Sequence, residues 1–403
     1  MTSVASPVAF QRRVPFGVRL LAFGAVGIAV YWSALTLFAS GGAAAATQQV
    51  ANALTLGAIY ALVALGYTMV YGIIELINFA HGDVFMVGAF IALTFMGAGL
   101  GMEEAFGFGL ALVGAILLGL AMGLLISRGF LRGRRGATIG VTAVCVAVAI
   151  GMERGLGLTS TIANPIVLAA TLVIVLAVCM IAMGSLNIGI ERFAYRPLRH
   201  APRLAPLITA IGVSFILQNV VQIWQGTGDR VPAPIFPNAQ FELFGASIRV
   251  IAVVIIVVAI ILMYALQTFV SRTRLGRAMR STAQDQQAAQ LMGVDLNLTI
   301  AATFLLGGAL AGAAGLFQCL YFGFVRSDIG FNAGLKAFTA AVLGGIGNLT
   351  GAAIGGFIIG FIEVAATALG YTQWSQAIVF VVLIVVLVFR PAGILGQQVG
   401  ERA

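Results

Sequence analysis

The sequence predicts an all-α polytopic integral membrane protein with about 11 or 12 transmembrane helices. Of its 403 residues, 61% are hydrophobic and only 9% are charged, whereas a soluble domain carries roughly 25% charged residues. Apolar runs of about 20 residues recur along the chain, and this is the length that a helix needs to cross about 30 Å of hydrocarbon. Helices satisfy their backbone hydrogen bonds internally, so they are the expected spanning element.

The apolar runs place the candidate spans along the chain. In order, they are 18–40, 51–72, 84–100, 107–127, 138–157, 166–190, 205–224, 249–270, 298–322, 335–348, 351–370 and 376–390. The first run follows several arginines and precedes a small-residue segment, so it is either a retained helix or a cleaved signal peptide, and its length favours the retained helix. The run 335–348 is short and glycine-rich, as is typical of a broken or re-entrant helix.

The arginines predict the orientation of the chain, because positively charged loops stay on the cytoplasmic side of a membrane. With these spans, 17 of the 22 basic residues fall on one side: before the first span, in the loops near 130, 197 and 280, and after the last span. Both termini are therefore predicted to be cytoplasmic. The net charge of +9 follows from this topology, and we predict no nucleic-acid partner.

The sequence lacks the motifs of the common enzyme classes. It contains no GxxxxGK[ST] phosphate loop, no HExxH and no Cys-x-x-Cys, and two histidines are too few to argue for a nucleophile triad. Cys145, Cys179 and Cys319 lie in apolar runs without metal-ligand spacing, so we interpret them as packing residues. We therefore predict no catalytic residue, no metal site and no cofactor.

Glycine spacing predicts how the helices pack. Small residues four apart let two helix backbones approach closely, which supplies packing in lipid, where there is little hydrophobic force between helices. Among the 51 glycines, four such pairs are Gly119 and Gly123, Gly308 and Gly312, Gly351 and Gly355, and Gly356 and Gly360. We expect tight helix–helix contacts at these pairs.

Several segments together resemble one transporter family. ANALTLGAIYALVALGYTMVYGIIELINFAHGDVFMVGAF (51–90) is similar to the permease subunits of high-affinity branched-chain amino acid ABC importers, the LivH family. The similarity continues in ERFAYRPLR (191–199), LITAIGVSFILQN (207–219), TRLGRAMRSTAQDQQAAQLMGVD (273–295), GLKAFTAAVLGGIGNLTGAAIGGFIIGFIE (334–363) and RPAGILG (390–396). These segments follow the order of the family.

Two regions depart from the family pattern and set the predicted domain organisation. Residues 1–46 form an N-terminal extension with an apolar helix or signal peptide. Residues 47–396 form the permease domain, with an inserted helical stretch within 101–165, and residues 397–403 form a short cytoplasmic tail.

The resemblance implies a membrane-spanning permease subunit of an ATP-driven importer in the inner (plasma) membrane. Branched-chain or similar hydrophobic amino acids would be delivered by a periplasmic binding protein and would pass between this chain and a homologous second permease. Two separate ATPase subunits would supply the energy, so the chain itself is not an enzyme. The alternative is an ion-coupled secondary transporter, but the sequence lacks a dense array of intramembrane carboxylates; an intramembrane enzyme would need paired catalytic residues.

The loop 271–297 is the predicted contact with the ATPase. Related importers carry Glu-Ala-Ala-x-x-x-Gly in a short helix that sits in a cleft of the ATPase, and this chain reads QAAQLMG at 287–293, with glutamine in the glutamate position. The glycine is expected to end that helix with a positive φ. The alternative is a solvated loop whose arginines only set the orientation. The candidate docking residues are Arg277, Asp285, Gln287, Ala288, Ala289 and Gly293.

Polar residues within the apolar chain are the candidates for the translocation path. Such groups are costly in a membrane unless they are paired or hydrated. Glu75, Asn78 and His81 lie in ELINFAHGDVF, either on a half-helix that turns back into the protein near a gate or in a plain loop between spans. Glu363 either lines the path or has a structural partner on a neighbouring helix. Lys336, the only lysine, is expected to be a headgroup anchor or a contact for the binding protein or the substrate carboxylate.

Overall fold

The computed structural model describes residues 31, 42–74, 78–96, 165–199, 201–202, 204–232, 239–390 and 392–395. The predicted spans 107–127 and 138–157, the tail 397–403 and Glu75 lie outside these residues. The same holds for the predicted span 18–40 and the extension 1–46, except for Tyr31 and the residues from Gly42 onward. The predicted division into domains stays a prediction.

Within the described residues, the chain is almost entirely helical. The α-helices are α1 (Gly42–Ile74), α2 (Ala80–Phe95), α3 (Pro165–Ile190), α4 (Leu204–Gln225), α5 (Val250–Arg272), α6 (Arg274–Gln284), α7 (Gln286–Leu291), α8 (Leu296–Phe322), α9 (Ile329–Gly344), α10 (Leu349–Ala368) and α11 (Ser375–Phe389). In this part of the chain, seven helical segments are long and apolar enough to cross a membrane, and α2 and α9 are shorter apolar helices. The predicted class, an all-α polytopic membrane protein, is confirmed.

The two shorter helices differ in their bounds from the predicted spans. α2 begins at Ala80, four residues before the predicted span 84–100, and α9 begins at Ile329 rather than at 335. Each has 16 residues, or about 24 Å of helix, which is less than the roughly 30 Å hydrocarbon core. α2 starts earlier than predicted because its polar first turn is buried by other helices instead of forming a surface loop.

Several short elements lie between the α-helices of the described fold. A π-helical turn (Glu191–Tyr195) and a 3₁₀ turn (Arg196–Leu198) continue α3. After α4, the strands β1 (Gln240–Leu243) and β2 (Ala246–Arg249) form an antiparallel hairpin. Its two turn residues, Phe244 and Gly245, have φ values of 50° and 80°, as a two-residue type I′ turn requires. The sequence analysis did not predict this hairpin.

The core of the bundle is built around α1. Every residue of α1 from Thr55 to Val70 is buried, and α1 packs against α10, α8, α9 and α5, while α8 also packs against α3 and α2. By contrast, α4, α5 and α11 bury one face and expose the other. Their large exposed side chains include Ile208, Phe215 and Ile216 on α4, Val257, Ile260 and Ile261 on α5, and Val381, Ile384 and Val388 on α11. These faces are available to lipid or to other chains.

Glycine pairs set the closest helix contacts, as predicted. Gly308 and Gly312 bring α8 onto α3, Gly351 and Gly355 bring α10 onto α9, and Gly356 and Gly360 bring α10 onto α1. A Cβ atom on Gly308 would lie only 2.4 Å from the carbonyl oxygen of Met183. Cys179 and Cys319 are buried free thiols inside this packing, in line with their predicted role. The pair Gly119 and Gly123 and Cys145 lie outside the described residues.

The described arginines concentrate at one end of the bundle, which we call the Arg-rich end. α5 ends there with Arg272, and α6 carries the exposed Arg274, Arg277 and Arg280. At the opposite end, the loops after α4 and before α9 are joined by two backbone hydrogen bonds between Arg230 and Val325, of 2.9 and 2.8 Å. The bundle therefore has two chemically different ends.

Candidate functional site

Asn78 is buried at the point where the chain enters α2. Its Oδ1 accepts a hydrogen bond of 2.8 Å from the hydroxyl of Tyr195, the last residue of the π-helical turn. The ring of Tyr195 packs against that of Phe304 on α8, with centroids 5.6 Å apart. Asn78 therefore joins the start of α2 to α3 and α8, and its amide nitrogen has no hydrogen-bond partner among the described residues.

His81 lies in the first turn of α2 and packs directly on α1. A Cβ atom on Gly66 would lie 2.2 Å from His81 Nε2, and the His81 and Tyr67 rings meet edge to face with centroids 4.8 Å apart. Gly66 is eight residues before the end of α1, about 12 Å of helix. The chain thus turns back into the protein between α1 and α2. Among the described residues, neither ring nitrogen of His81 makes a hydrogen bond of ordinary geometry, although the Val63 carbonyl lies nearby.

Asp83 is a buried residue whose contacts the sequence analysis missed. Its carboxylate accepts hydrogen bonds from the hydroxyl of Ser214 and, at 3.0 Å, from the side-chain amide of Gln218, both on α4. It also lies against the start of α9, where a Cβ atom on Gly330 would be 2.6 Å from Asp83 Oδ1. The sequence did indicate these residues, because the segments that carry the family resemblance include Asp83, Ser214 and Gln218. No local sequence pattern, however, shows that the three residues are in contact.

Glu363 is held by groups on two neighbouring helices. Its Oε1 lies 2.6 Å from Nζ of Lys336 on α9, and its Oε2 accepts a hydrogen bond of 2.9 Å from the hydroxyl of Tyr60 on α1. Both charged side chains are mostly buried, with 13% and 15% exposed for Lys336 and Glu363. Lys336 is therefore a structural partner on a neighbouring helix, which is one of the two alternatives that the sequence analysis gave for Glu363. Lys336 is engaged inside the bundle and does not extend as a headgroup anchor.

Replacing Glu363 by alanine is expected to destabilise the fold by about 3 kcal/mol, because Lys336 would be left largely buried without its counter-charge. The double variant Lys336→Gln/Glu363→Gln removes both charges and should lose less stability than the single variant. The melting temperature of each purified variant in the same detergent measures the difference. A single variant as stable as the double one would show that burying Lys336 without its counter-charge costs nothing.

The loop 271–297 forms two short helices at the Arg-rich end. α6 packs against α1 and α8 and buries Gly276, Met279 and Thr282, while its arginines are exposed. On the next helix, Asp285 Oδ1 accepts hydrogen bonds from the backbone N–H groups of Gln287 and Ala288, at 2.8 and 3.0 Å. Asp285 therefore caps α7, a role that the sequence analysis had not assigned to it.

The other end of α7 has the predicted geometry. Gly293 has a φ of 83°, in the left-handed region that favours glycine after a helix. The alanine pair is divided: Ala289 is buried against the protein, whereas Ala288 and Gln287 are exposed. Leu291 and Met292 are 88% and 85% exposed, so α7 presents an apolar tip. Gln286 Nε2 donates a 2.8 Å hydrogen bond to the carbonyl of Ile73, which ties α7 to the end of α1.

Comparison of the sequence with known proteins shows the family of this chain. A family model described as branched-chain amino acid transport system / permease component matches residues 49–165 and 140–387. The chain belongs to this permease family. It is 38% identical over 361 residues to the high-affinity branched-chain amino acid transport system permease protein LivH of Escherichia coli K12, covering 88% of this chain and 97% of that protein.

Further permeases support the same placement. The permease BraD of Pseudomonas aeruginosa is 36% identical over 359 residues, again covering 88% of this chain and 97% of the relative. The autoinducer 2 import system permease LsrD of Escherichia coli HS is more distant, at 25% identity over 281 residues. No solved structure matches the chain. Among the residues that the structure describes in this permease, no group of three His, Cys, Asp or Glu side chains could hold a metal ion.

Proposed function

We propose that this chain is the membrane-spanning permease subunit of an ATP-driven importer for branched-chain or similar hydrophobic amino acids. A periplasmic binding protein delivers the amino acid, a homologous second permease completes the path, and two separate ATPase subunits supply the energy. The observation that carries the proposal is the match of most of the chain to a family model of branched-chain amino acid permeases and to the high-affinity permeases LivH and BraD.

The Arg-rich end is the cytoplasmic side in this proposal, since basic loops remain inside. α7 is then the ATPase-docking helix, with the exposed Gln287, Ala288, Leu291 and Met292 as its contact surface. The exposed arginines of α6, Arg277 among them, flank this surface. A rigid attachment supports this role, because α6 and α7 are fixed to the bundle through buried Met279 and Ala289.

A movement of the docking helix α7 would be transmitted to the translocation path through α1. Gln286 on α7 bonds the carbonyl of Ile73, and Ile73 precedes Asn78 by five residues. The proposed inner gate consists of Asn78, His81 and Glu75, which precedes them in the sequence. Backbone that turns back into a membrane protein is tolerated only beside protein or water. Of the path candidates, Glu363 bonds to Tyr60 and Lys336, and we assign it to holding α1, α9 and α10 together.

The function is tested by leucine uptake into proteoliposomes that contain this chain with a homologous second permease and two ATPase subunits. We expect uptake that requires enclosed ATP and external binding protein and that persists when ionophores collapse ion gradients. The alternative, an ion-coupled transporter, predicts the opposite pattern. Uptake driven by an ion gradient without ATP would therefore overturn the proposal.

A further inference from the structure

Asp83 differs from the other buried carboxylates that the structure describes, because it has no basic partner. Glu191 pairs with Arg199, and Glu363 pairs with Lys336. Asp83 is fully buried, yet within the described residues only the neutral donors Ser214 and Gln218 bond to it. A buried carboxylate without a counter-charge carries a desolvation cost of several kcal/mol.

The depth of Asp83 makes this unpaired charge more unusual. Ser214 lies ten residues from the start of α4 and eleven from its end, so about 15 Å of apolar helix extends on each side. Ionisable side chains at such a depth are rare and typically mark a solute or ion pathway. A purely structural hydrogen bond between α2 and α4 would not need a carboxylate, since a neutral amide could make it.

The surroundings of Asp83 match two parts of a hydrophobic amino acid, its ammonium group and its apolar side chain. On α4, Ile211 and Gln218 are seven residues apart and share a face; Gln218 is partly exposed, and Phe215, nearby on the helix, is 60% exposed. On α9, Gly330 touches Asp83 and the adjacent Phe331 is 53% exposed. We call Ile211, Phe215 and Gln218 on α4, with Phe331 on α9, the α4–α9 surface, because Asp83 bonds Gln218 and lies against Gly330 and so links the two helices. It combines an apolar surface with one buried negative group behind Gln218.

We propose that Asp83 binds the ammonium group of the amino acid as it passes along the α4–α9 surface, with Gln218 moving aside to admit it. This inference rests on the proposed function and adds the residue that contacts the substrate. Ser214 and Gln218 leave carboxylate lone pairs unused, because each oxygen can accept two hydrogen bonds. An ammonium group brings the counter-charge that Gln218 lacks, and this counter-charge offsets the desolvation cost of the buried carboxylate, so the ammonium group would displace Gln218 favourably.

The first test is the isosteric substitution Asp83→Asn. The asparagine oxygen can still accept from Ser214 or Gln218, but the negative charge is gone. We expect the maximal rate of leucine uptake to fall at least about tenfold, equivalent to 1.4 kcal/mol, at equal amounts of assembled transporter. The concentration of leucine-loaded binding protein that gives half-maximal uptake should stay within about twofold. The matched control on α4 is Asn219→Ala, because Asn219 is exposed and bonds only its own helix at Phe215; its uptake should stay near that of the wild type.

A second test leaves Asp83 intact. Gln218→Cys is made in a Cys145→Ala background, where the remaining Cys179 and Cys319 are fully buried. A charged, water-soluble thiosulfonate should modify this cysteine, and leucine with its binding protein and ATP should slow the reaction at least about threefold. Ile384→Cys on the apolar face of α11 should not react.

The outcomes separate this inference from the function. Asp83→Asn transport within about twofold of the wild type, or no modification at position 218 in any condition, would overturn the role of Asp83 while leaving the importer proposal standing. Failure of the wild-type transporter to use ATP for leucine uptake would overturn both. Loss of Asp83→Asn uptake together with leucine protection at position 218 supports the inference.

Discussion

Replacing Gly356 by alanine is expected to reduce the amount of folded permease at least about tenfold. Gly356 is where α10 crosses α1, and a Cβ atom there would lie 2.4 Å from both the Cα and the backbone nitrogen of Ala61. Favourable contact between carbon atoms needs about 3.5–4.0 Å, so α10 and α1 would have to separate by more than 1 Å. The backbone of Ala61 cannot turn aside as a flexible side chain could, and we expect a cost of about 3 kcal/mol or more.

The matched control is Gly212→Ala on α4. A Cβ atom on Gly212 would meet nothing within 4 Å, and alanine favours a helix over glycine by about 1 kcal/mol. This variant should therefore be as stable as the wild type or slightly more so. Size-exclusion profiles and melting temperatures in detergent measure both variants. Equal melting temperatures for Gly356→Ala and Gly212→Ala would show that the α1–α10 contact is not as close as described.

Replacing Ala288 by arginine is expected to abolish ATP-driven uptake without unfolding the permease. Ala288 is exposed on α7, whereas its neighbour Ala289 is buried against the protein. A long charged side chain on the docking surface would keep α7 from lying close to the ATPase. Overpacking of this kind costs about 1–3 kcal/mol, and each 1.4 kcal/mol lowers affinity tenfold.

Co-purification of the ATPase with the permease, followed by leucine uptake, measures this effect. Ala288→Ser keeps a small side chain and should retain both assembly and transport. The melting temperature of the permease alone should be unchanged in either variant. If Ala288→Arg retained the ATPase at the wild-type ratio, α7 would not be the docking helix.

The helices themselves were predictable because membrane spans are recorded locally in the sequence. An apolar run long enough for the bilayer identifies α5 or α11 without knowledge of the rest of the chain. Glycine pairs were equally informative, since a spacing of four places both glycines on one helix face. Gly308, Gly312, Gly356 and Gly360 all lie at close helix contacts.

The partners of the polar residues were not predictable, because they depend on contacts between distant parts of the chain. Asn78 meets Tyr195 across 117 positions, and Asp83 meets Ser214 across 131 positions. No local pattern specifies such pairs. The start of α2 was misplaced for the same reason: a run of polar residues indicates a loop unless other helices bury it.

The π-helical turn at Glu191–Tyr195 limits how this segment can change in length. A π turn bonds residues five apart instead of four and so accommodates an extra residue within a helix. Removing one residue from the turn would close it to ordinary α-helical winding, and the chain after the turn would keep its rotation. Inserting one residue into the preceding helix would instead rotate everything that follows by about 100° and carry Tyr195 away from Asn78. A single-residue deletion inside the turn should therefore be tolerated better than an insertion in the helix before it.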